Sequence, residues 1–273
     1  MLDRVLVSLR GAVMPFSAAT SPRSRLAYST LALLLAGVAG AVNALSFFAF
    51  GQHLSHMTGH VSVVGEALAS NQGLEAFAAL RLVFAFMVGA TTAAALLEAS
   101  RHRQRGRHTP ALFLETVTLG AVGLWVHAPP EEAPEPTLMW GLAFAMGLQN
   151  ALVTRVSGAV VRTTHLTGVL TDIGLQLVHM VAWVRDGARE RGLRGLLRRV
   201  RELPSAVEFA RTRLHLGIAL AFLVGALLGA HLFLRLGMPA MALPCTVLVL
   251  LMALDLSPAG ARAPAVTAES PSR

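Results

Sequence analysis

Thr163, Thr164, His165, Thr167, Thr171 and Asp172 fall within ten consecutive positions of a stretch that otherwise reads as oily. Earlier in the chain His53, His56, Thr58, Gly59, His60 and Glu66 stand in a similar setting. Ionisable groups are expensive in hydrocarbon, so within a membrane protein they face the interior and mark pathways or partners. Three chemistries are open to these residues. They can line a pathway for a small solute or ion. His165 and Asp172 can act as acid and base, alone or with a metal. His53, His56 and His60, at i, i+3 and i+7, would share one helix face and offer imidazoles to zinc, copper or nickel. Only His165 answers them in the later stretch, so no metal or other cofactor is assigned. Helix packing is the plain alternative, since small and Thr-rich segments also lock helices together. The combined polar load exceeds what packing requires and favours a pathway.

The elements that carry these residues are set by composition. The chain has 273 residues, 54% hydrophobic and 14% charged, with a mean hydropathy of +0.60, whereas about a quarter of the residues of a soluble domain are charged. This predicts an all-α, polytopic membrane protein. Apolar runs at 26–50, 76–97, 111–127, 137–153, 216–234 and 238–254 approach the roughly 17–25 residues that cross a bilayer as helix. Stretches 57–69 and 166–184 are apolar but interrupted by Gly, Thr, Glu or Asp. The net charge is +8 and all 23 basic residues are arginine. They sit in loops beside the spans, where anionic lipid and insertion orientation explain them, so the bilayer and not nucleic acid is the expected partner. Cys245 is the single cysteine, which excludes an intrachain disulfide. Residues 1–20, with Asp3 and Arg10 among apolar positions, fit a short amphipathic surface helix better than a signal peptide. No phosphate-binding loop, dinucleotide fingerprint or nucleophile elbow is present, which disfavours an ATP-driven pump.

An internal repeat organises the chain. Gly40, Asn43, Ala44, Leu45 and Gly51 return at the same spacing as Gly147, Asn150, Ala151, Leu152 and Gly158. After a two-residue insertion, His56, Thr58, Gly59, Gly65 and Leu68 return as His165, Thr167, Gly168, Gly174 and Leu177. FAFMVGA at 84–90 resembles LAFLVGA at 220–226. Four arginines in loop 99–109, nine in 185–213 and four before the first span contrast with none in the acidic loop 128–135. Arginine-rich loops stay cytoplasmic. If segment 166–184 crossed, three spans would separate the two arginine-rich loops and put them on opposite sides. With neither interrupted segment crossing, about six spans remain, both termini are cytoplasmic and the acidic loop is outside. Each half then has three spans, so the halves are inverted relative to each other, a construction known from transporters with midplane sites. A seven-span version, in which only the first motif segment crosses, violates just the amino-terminal arginines and stays open. Leu193, Leu196, Leu197 and Val200 amid arginines suit either a helix on the inner surface or a solvated basic linker.

The expected units are a cytoplasmic segment 1–25, a first repeat 26–127, a second repeat 136–254 that includes the loop 185–213, and a disordered tail 255–273. Thr58-Gly59 and Thr167-Gly168 suit broken or re-entrant motif segments, because irregular backbone at membrane depth needs internal partners. With Asn43, His56, Glu66, Gln149, Asn150, Thr163, Thr164, His165 and Asp172 they would form a polar pathway between the halves. Arg81 and Glu115 read as snorkelling or paired residues near span ends, and His179, His215 and His231 as interhelical hydrogen-bonding residues.

The phrases AGVAGAVNALSFFAFG with HMTGH, and MGLQNALVTRVSGAVVRTTHLTGVLTDIG, resemble the YoaK family of bacterial inner-membrane proteins, also known as the domain-of-unknown-function 1275 family. The resemblance covers about residues 26–254. Gly147, Gln149, Asn150, Ala151, Thr163, Thr164, His165, Thr167, Gly168, Thr171, Asp172 and Gly174 all fit the pattern of the second phrase. The first phrase departs from it, since the family usually carries aspartate at the place of Asn43 and asparagines at those of His56 and His60. The resemblance implies a multi-pass protein of the bacterial inner membrane and brings no substrate or reaction. The expectation is therefore a permease or channel-like transporter for an unidentified small solute or ion. An intramembrane enzyme and a structural assembly protein are the alternatives, and a homo-oligomer stays open.

Overall fold

The structure, a computed structural model, describes residues 22–103, 105–124, 136–156 and 166–257. The expected surface helix in 1–20 and the residues Thr163, Thr164 and His165 lie outside the described residues. The described elements are helical: α1 (Pro22–Phe50), α2 (Met57–Ala69), α3 (Gly73–Ala99), α4 (Thr109–Leu124), α5 (Pro136–Val156), α6 (Leu166–Glu202), α7 (Ala210–Leu236) and α8 (Ala242–Leu256). Short 3-10 turns at Val207–Phe209 and Met238–Met241 lead into α7 and α8.

Five helices, α1, α3, α6, α7 and α8, are long and apolar enough to cross a bilayer. This set differs from the expected six spans in two ways. First, α4 is apolar but has only 16 residues, and α5, weighted by Gln149, Asn150 and Arg155, is not among the long apolar helices. Second, α6 now is among them, although it starts in the interrupted motif segment. Enclosure by neighbours explains the composition of α5. Leu142, Ala143, Ala145, Met146, Leu148, Gln149 and Leu152 are at most 1% exposed, so the middle of this helix is largely packed against protein and presents little surface to lipid. The exposed apolar side chains of the outer helices, such as Phe77 and Phe84 on α3 or Leu223 and Leu227 on α7, supply that surface.

Two close crossings hold the bundle. Lipid tails are as apolar as leucine, so helices in a membrane associate through packing and hydrogen bonds, which small residues allow by letting backbones approach. At α1 against α7, a methyl group on Gly40 would collide with the Phe222 carbonyl, and one on Gly225 with the Gly37 carbonyl. At α3 against α5, Gly147 meets the Phe86 carbonyl and Gly89 the Phe144 carbonyl in the same way. Contacts advance together along each pair. Gly37, Gly40 and Ala41 meet Ala221, Phe222 and Gly229 in turn, so α1 and α7 are parallel. Arg81 meets Trp140 and Gly89 meets Leu148, so α3 and α5 are parallel. Gln149 Nε2 donates to the Leu35 carbonyl at 2.7 Å and ties α5 to α1.

α4 and α8 run antiparallel, with Gly106 beside Asp255 at one end and Gly123 beside Met241 at the other. Asp255 caps α4 from the end of α8. Its Oδ2 accepts from the backbone amides of His108 and Thr109 and from Thr109 Oγ1, each at 2.9 Å. A carboxylate at a helix amino terminus satisfies orphan amides and complements the dipole. α8 is helical to Leu256, so residues 255 and 256, expected in the tail, belong to the helix. Residues 258–273 lie outside the described residues.

The segment expected as a surface helix or basic linker is a helical hairpin. At Arg191 and Gly192 (φ 60°) the backbone leaves helical geometry, and the stretch 193–202 folds back along 166–190. Gly187 and Gly195 touch backbone to backbone, and the Arg199 guanidinium lies 4.3 Å over the Trp183 ring. Leu193, Leu197 and Val200 remain exposed. Against α7, Asp172 sits on Arg211 and His215, whereas His179 and Trp183 sit on Phe209.

Alanine at Gly40, Gly89, Gly147 or Gly225 is expected to destabilise the protein by about 1–3 kcal/mol or more through overpacking. Alanine at Gly65 or Gly174, where no atom lies within 4 Å of an added methyl, is expected to be neutral or to stabilise by up to about 1 kcal/mol through helix propensity. Thermal unfolding of the six detergent-solubilised variants checks both.

Candidate functional site

The first motif segment is built around Asn43. α1 ends at Phe50, Gly51 takes φ 70°, and residues 51–56 leave the helix before α2 begins. Polar groups released by that break need partners. Asn43 Oδ1 accepts from Ser55 Oγ at 2.8 Å, and Asn43 Nδ2 lies 3.2 Å from His53 Nδ1. Ser46 Oγ donates to the Asn43 carbonyl at 2.9 Å and accepts from the Leu54 amide at 3.5 Å. The His53 ring stacks on Phe47, with centroids 4.7 Å apart. Asn43 is thus the anchor of the loop. α2 has 13 residues, about 20 Å of helix, and turns back through Asn71 (φ 57°) into α3. The first segment is interrupted upstream of the expected place: the break falls at 51–56, whereas Thr58-Gly59, like Thr167-Gly168 at the start of α6, lies in the first turn of a regular helix.

The break also removes the histidine alignment. His53 precedes the helix and His56 is its cap residue, so the i, i+3, i+7 register that would place three imidazoles on one face does not form. Among the described residues no group of three His, Cys, Asp or Glu side chains is placed to hold a metal ion.

The histidines instead line a cleft of about 590 Å³ between the 51–56 loop, α2, the first half of α3 and the start of α5. His53, His56 and His60 face Glu75 and Arg81 across it, and Phe50, Met139 and Trp140 give it an apolar wall. Glu75, in the first turn of α3, is exposed. His60 is 7% exposed and its Nε2 has no hydrogen-bond partner among the described residues. Burial lowers its imidazole pKa below the ordinary value, so the ring is neutral near pH 7. Arg81, half-buried, packs its guanidinium between two rings. Its guanidinium carbon lies 4.5 Å from the Phe77 ring centroid and 4.9 Å from that of Trp140. Its Nε is buried without an acceptor, and no carboxylate among the described residues pairs with it. Stacking of this kind contributes about 0.5–2 kcal/mol, less than the several kcal/mol that burying a cation in a membrane protein costs.

The other predicted residues are dispersed. Gly59 lies under the His56 ring and lines the cleft with it. Thr58, Glu66 and Thr167 are exposed, and Gly168 and Asn150 are half-buried. The Thr167 carbonyl accepts from Thr171 Oγ1 at 2.9 Å. Asp172 Oδ2 accepts from Arg211 Nη2 at 2.8 Å and lies 3.6 Å from His215 Nδ1. Asn43, Gln149 and Asp172 bond to residues outside the predicted set, so these three are not joined in one central cluster.

Sequence reasoning left two residues out of the candidate site. Arg81 carries no local motif, and only its place on an otherwise apolar helix marks it. Glu115 was expected to snorkel or pair, yet it is fully buried on α4 and neither carboxyl oxygen has a partner among the described residues.

Apolar helices of bilayer length around an enclosed central helix make this a polytopic helical membrane protein. More closely, the chain belongs to the family described as Protein of unknown function (DUF1275), whose pattern matches residues 31–254 and whose common name is the YoaK family. No curated protein and no solved structure matches it.

Asn43→Ala is expected to leave the 51–56 loop without partners, lower stability by about 1–3 kcal/mol and speed amide exchange at Leu54, read by thermal unfolding and hydrogen exchange. Glu115→Leu removes an unsatisfied buried carboxyl and is expected to raise the unfolding midpoint, as apolar replacements of buried ionisable groups often do.

Proposed function

We propose that the chain is a permease for a small solute, built from two inverted three-span halves whose clefts open in alternation. The observation that carries this reading is a difference between register-equivalent places. The repeat pairs Val63, Glu75 and Ala79 with Asp172, Arg211 and His215. The first three line the open cleft beside α2. The second three are the ion pair and imidazole where α6 meets α7. One half is open where the other is shut, which is the relation that rocking of inverted repeats about a central site requires.

The helix directions support the inversion. α1 and α7 point one way and α3 and α5 the other, given antiparallel α4 and α8 and short links from α3 to α4 and from α7 to α8. The repeat partners α1 and α5, and likewise α3 and α7, are therefore opposed. With loop 99–109 cytoplasmic, the open cleft faces outward and the Asp172–Arg211 closure faces the cytoplasm.

α6 then acts as the second motif finger despite its length. Asp172 meets Arg211 and His215 near the start of α7, and His179 and Trp183 meet Phe209 just before it, so the arginine-rich hairpin that follows lies beyond the cytoplasmic end of α7, at the inner surface.

Two measurements test the reading. In a Cys245→Ala background, Gln72→Cys and Arg189→Cys, both at exposed positions, are expected to react with an impermeant thiol reagent from opposite faces. Labelling from one face would remove the inversion. Reconstituted into liposomes, the protein is expected to move a member of a broad solute panel. Asp172→Asn is expected to change that rate about two- to five-fold, in keeping with the roughly 0–1 kcal/mol of a part-exposed ion pair.

A further inference from the structure

In the register of the repeat, Arg81 and Trp140 occupy the places of Gly217 and Leu33. There the Leu33 side chain packs over Gly217 and takes the space a larger residue would need. The helix crossing thus has a wholly apolar solution, and this chain uses it once. At the other copy it sets a guanidinium against two aromatic rings, in a cavity open to ligand. Arg81 has no carboxylate partner among the described residues, and His60 lines the same walls. Packing does not explain Arg81, since the equivalent crossing does without it. A cation beside an apolar surface complements an anion that carries an apolar body.

We infer that the outward cleft binds a small organic monocarboxylate, its carboxylate on Arg81 and its apolar part against Trp140 and Met139. The guanidinium fork matches a carboxylate in two parallel hydrogen bonds. One unpaired cation, with exposed Glu75 at the mouth, selects a single negative charge over two. That this molecule is also the transported solute rests on the permease reading. A lipid phosphate presents a similar anionic group, and the test separates the two.

The test uses the purified full-length protein in a neutral detergent, with benzoate, acetate, chloride and a short-chain phosphatidylglycerol compared at constant ionic strength. Benzoate at millimolar concentration is expected to raise the unfolding midpoint and to bind by calorimetry, acetate to bind more weakly and chloride to have no effect. Arg81→Gln is expected to weaken benzoate at least ten-fold, and Trp140→Leu to weaken benzoate while sparing acetate. Benzoate without effect, equal stabilisation of wild type and Arg81→Gln, or stabilisation by the phosphatidylglycerol alone would each overturn the inference. If Arg81→Gln does not fold, Trp140→Leu and His60→Gln decide, and unchanged benzoate affinity in both overturns it. Benzoate binding without flux in liposomes would retain the site and remove the permease. Flux of neutral or cationic solutes with no carboxylate binding would do the reverse.

Discussion

The fold depends on close contact between helix backbones in a solvent that gives helices no hydrophobic reason to associate. That contact is made twice, at Gly40 and Gly225 between α1 and α7 and at Gly89 and Gly147 between α3 and α5. Four glycines on facing surfaces remove the side chains that would hold these backbones apart. The cleft follows from the same geometry. Arg81 lies eight residues before Gly89, about 12 Å along α3, far enough from the pinch for α3 and α5 to part and admit side chains between them. Tight at the glycines and open at Arg81, the pair of helices makes a wedge.

Against that frame the polar residues fall into two groups. Asn43, Gln149 and Asp255 meet obligations that the backbone creates, at the broken end of α1, at the α5–α1 contact and at the amino terminus of α4. Each has partners at hydrogen-bond distance, although Gln149 bonds only through its Nε2 and its Oε1 has none among the described residues. Arg81, His60 and Glu115 have polar atoms that nothing among the described residues satisfies. Arg81 and His60 share a cavity, while Glu115 is enclosed on α4. An unpaired cation facing a cavity points outward to chemistry, and Arg81 was the least conspicuous of the three in the sequence.

The reach of sequence reasoning followed from what leaves a local trace. Hydropathy exposed the membrane helices because lipid contact imposes a run of apolar residues, and α5 carries the weakest such run because its middle is packed against protein. The repeat placed Gly40 beside Gly147 and residues 84–90 beside 220–226, and these segments form the two crossings, although nothing in the repeat says which helix each would meet. The motif residues were noticed for their polarity, yet Asn43 and Gln149 use it to satisfy backbone. The cleft was not legible, because its walls come from 50–63, 75–82 and 136–140, and no stretch of chain contains enough of them to form a pattern. Position-by-position comparison of the halves would have flagged Arg81, since its counterpart is a glycine.

The way the helices choose their neighbours also governs how the chain is made. The glycine face of α1 is completed by α7, and the amide of His108 waits for a carboxylate 147 positions later. During synthesis these surfaces therefore stay unfinished in lipid until α7 and α8 follow, so the contacts that close the bundle form between helices made far apart in time.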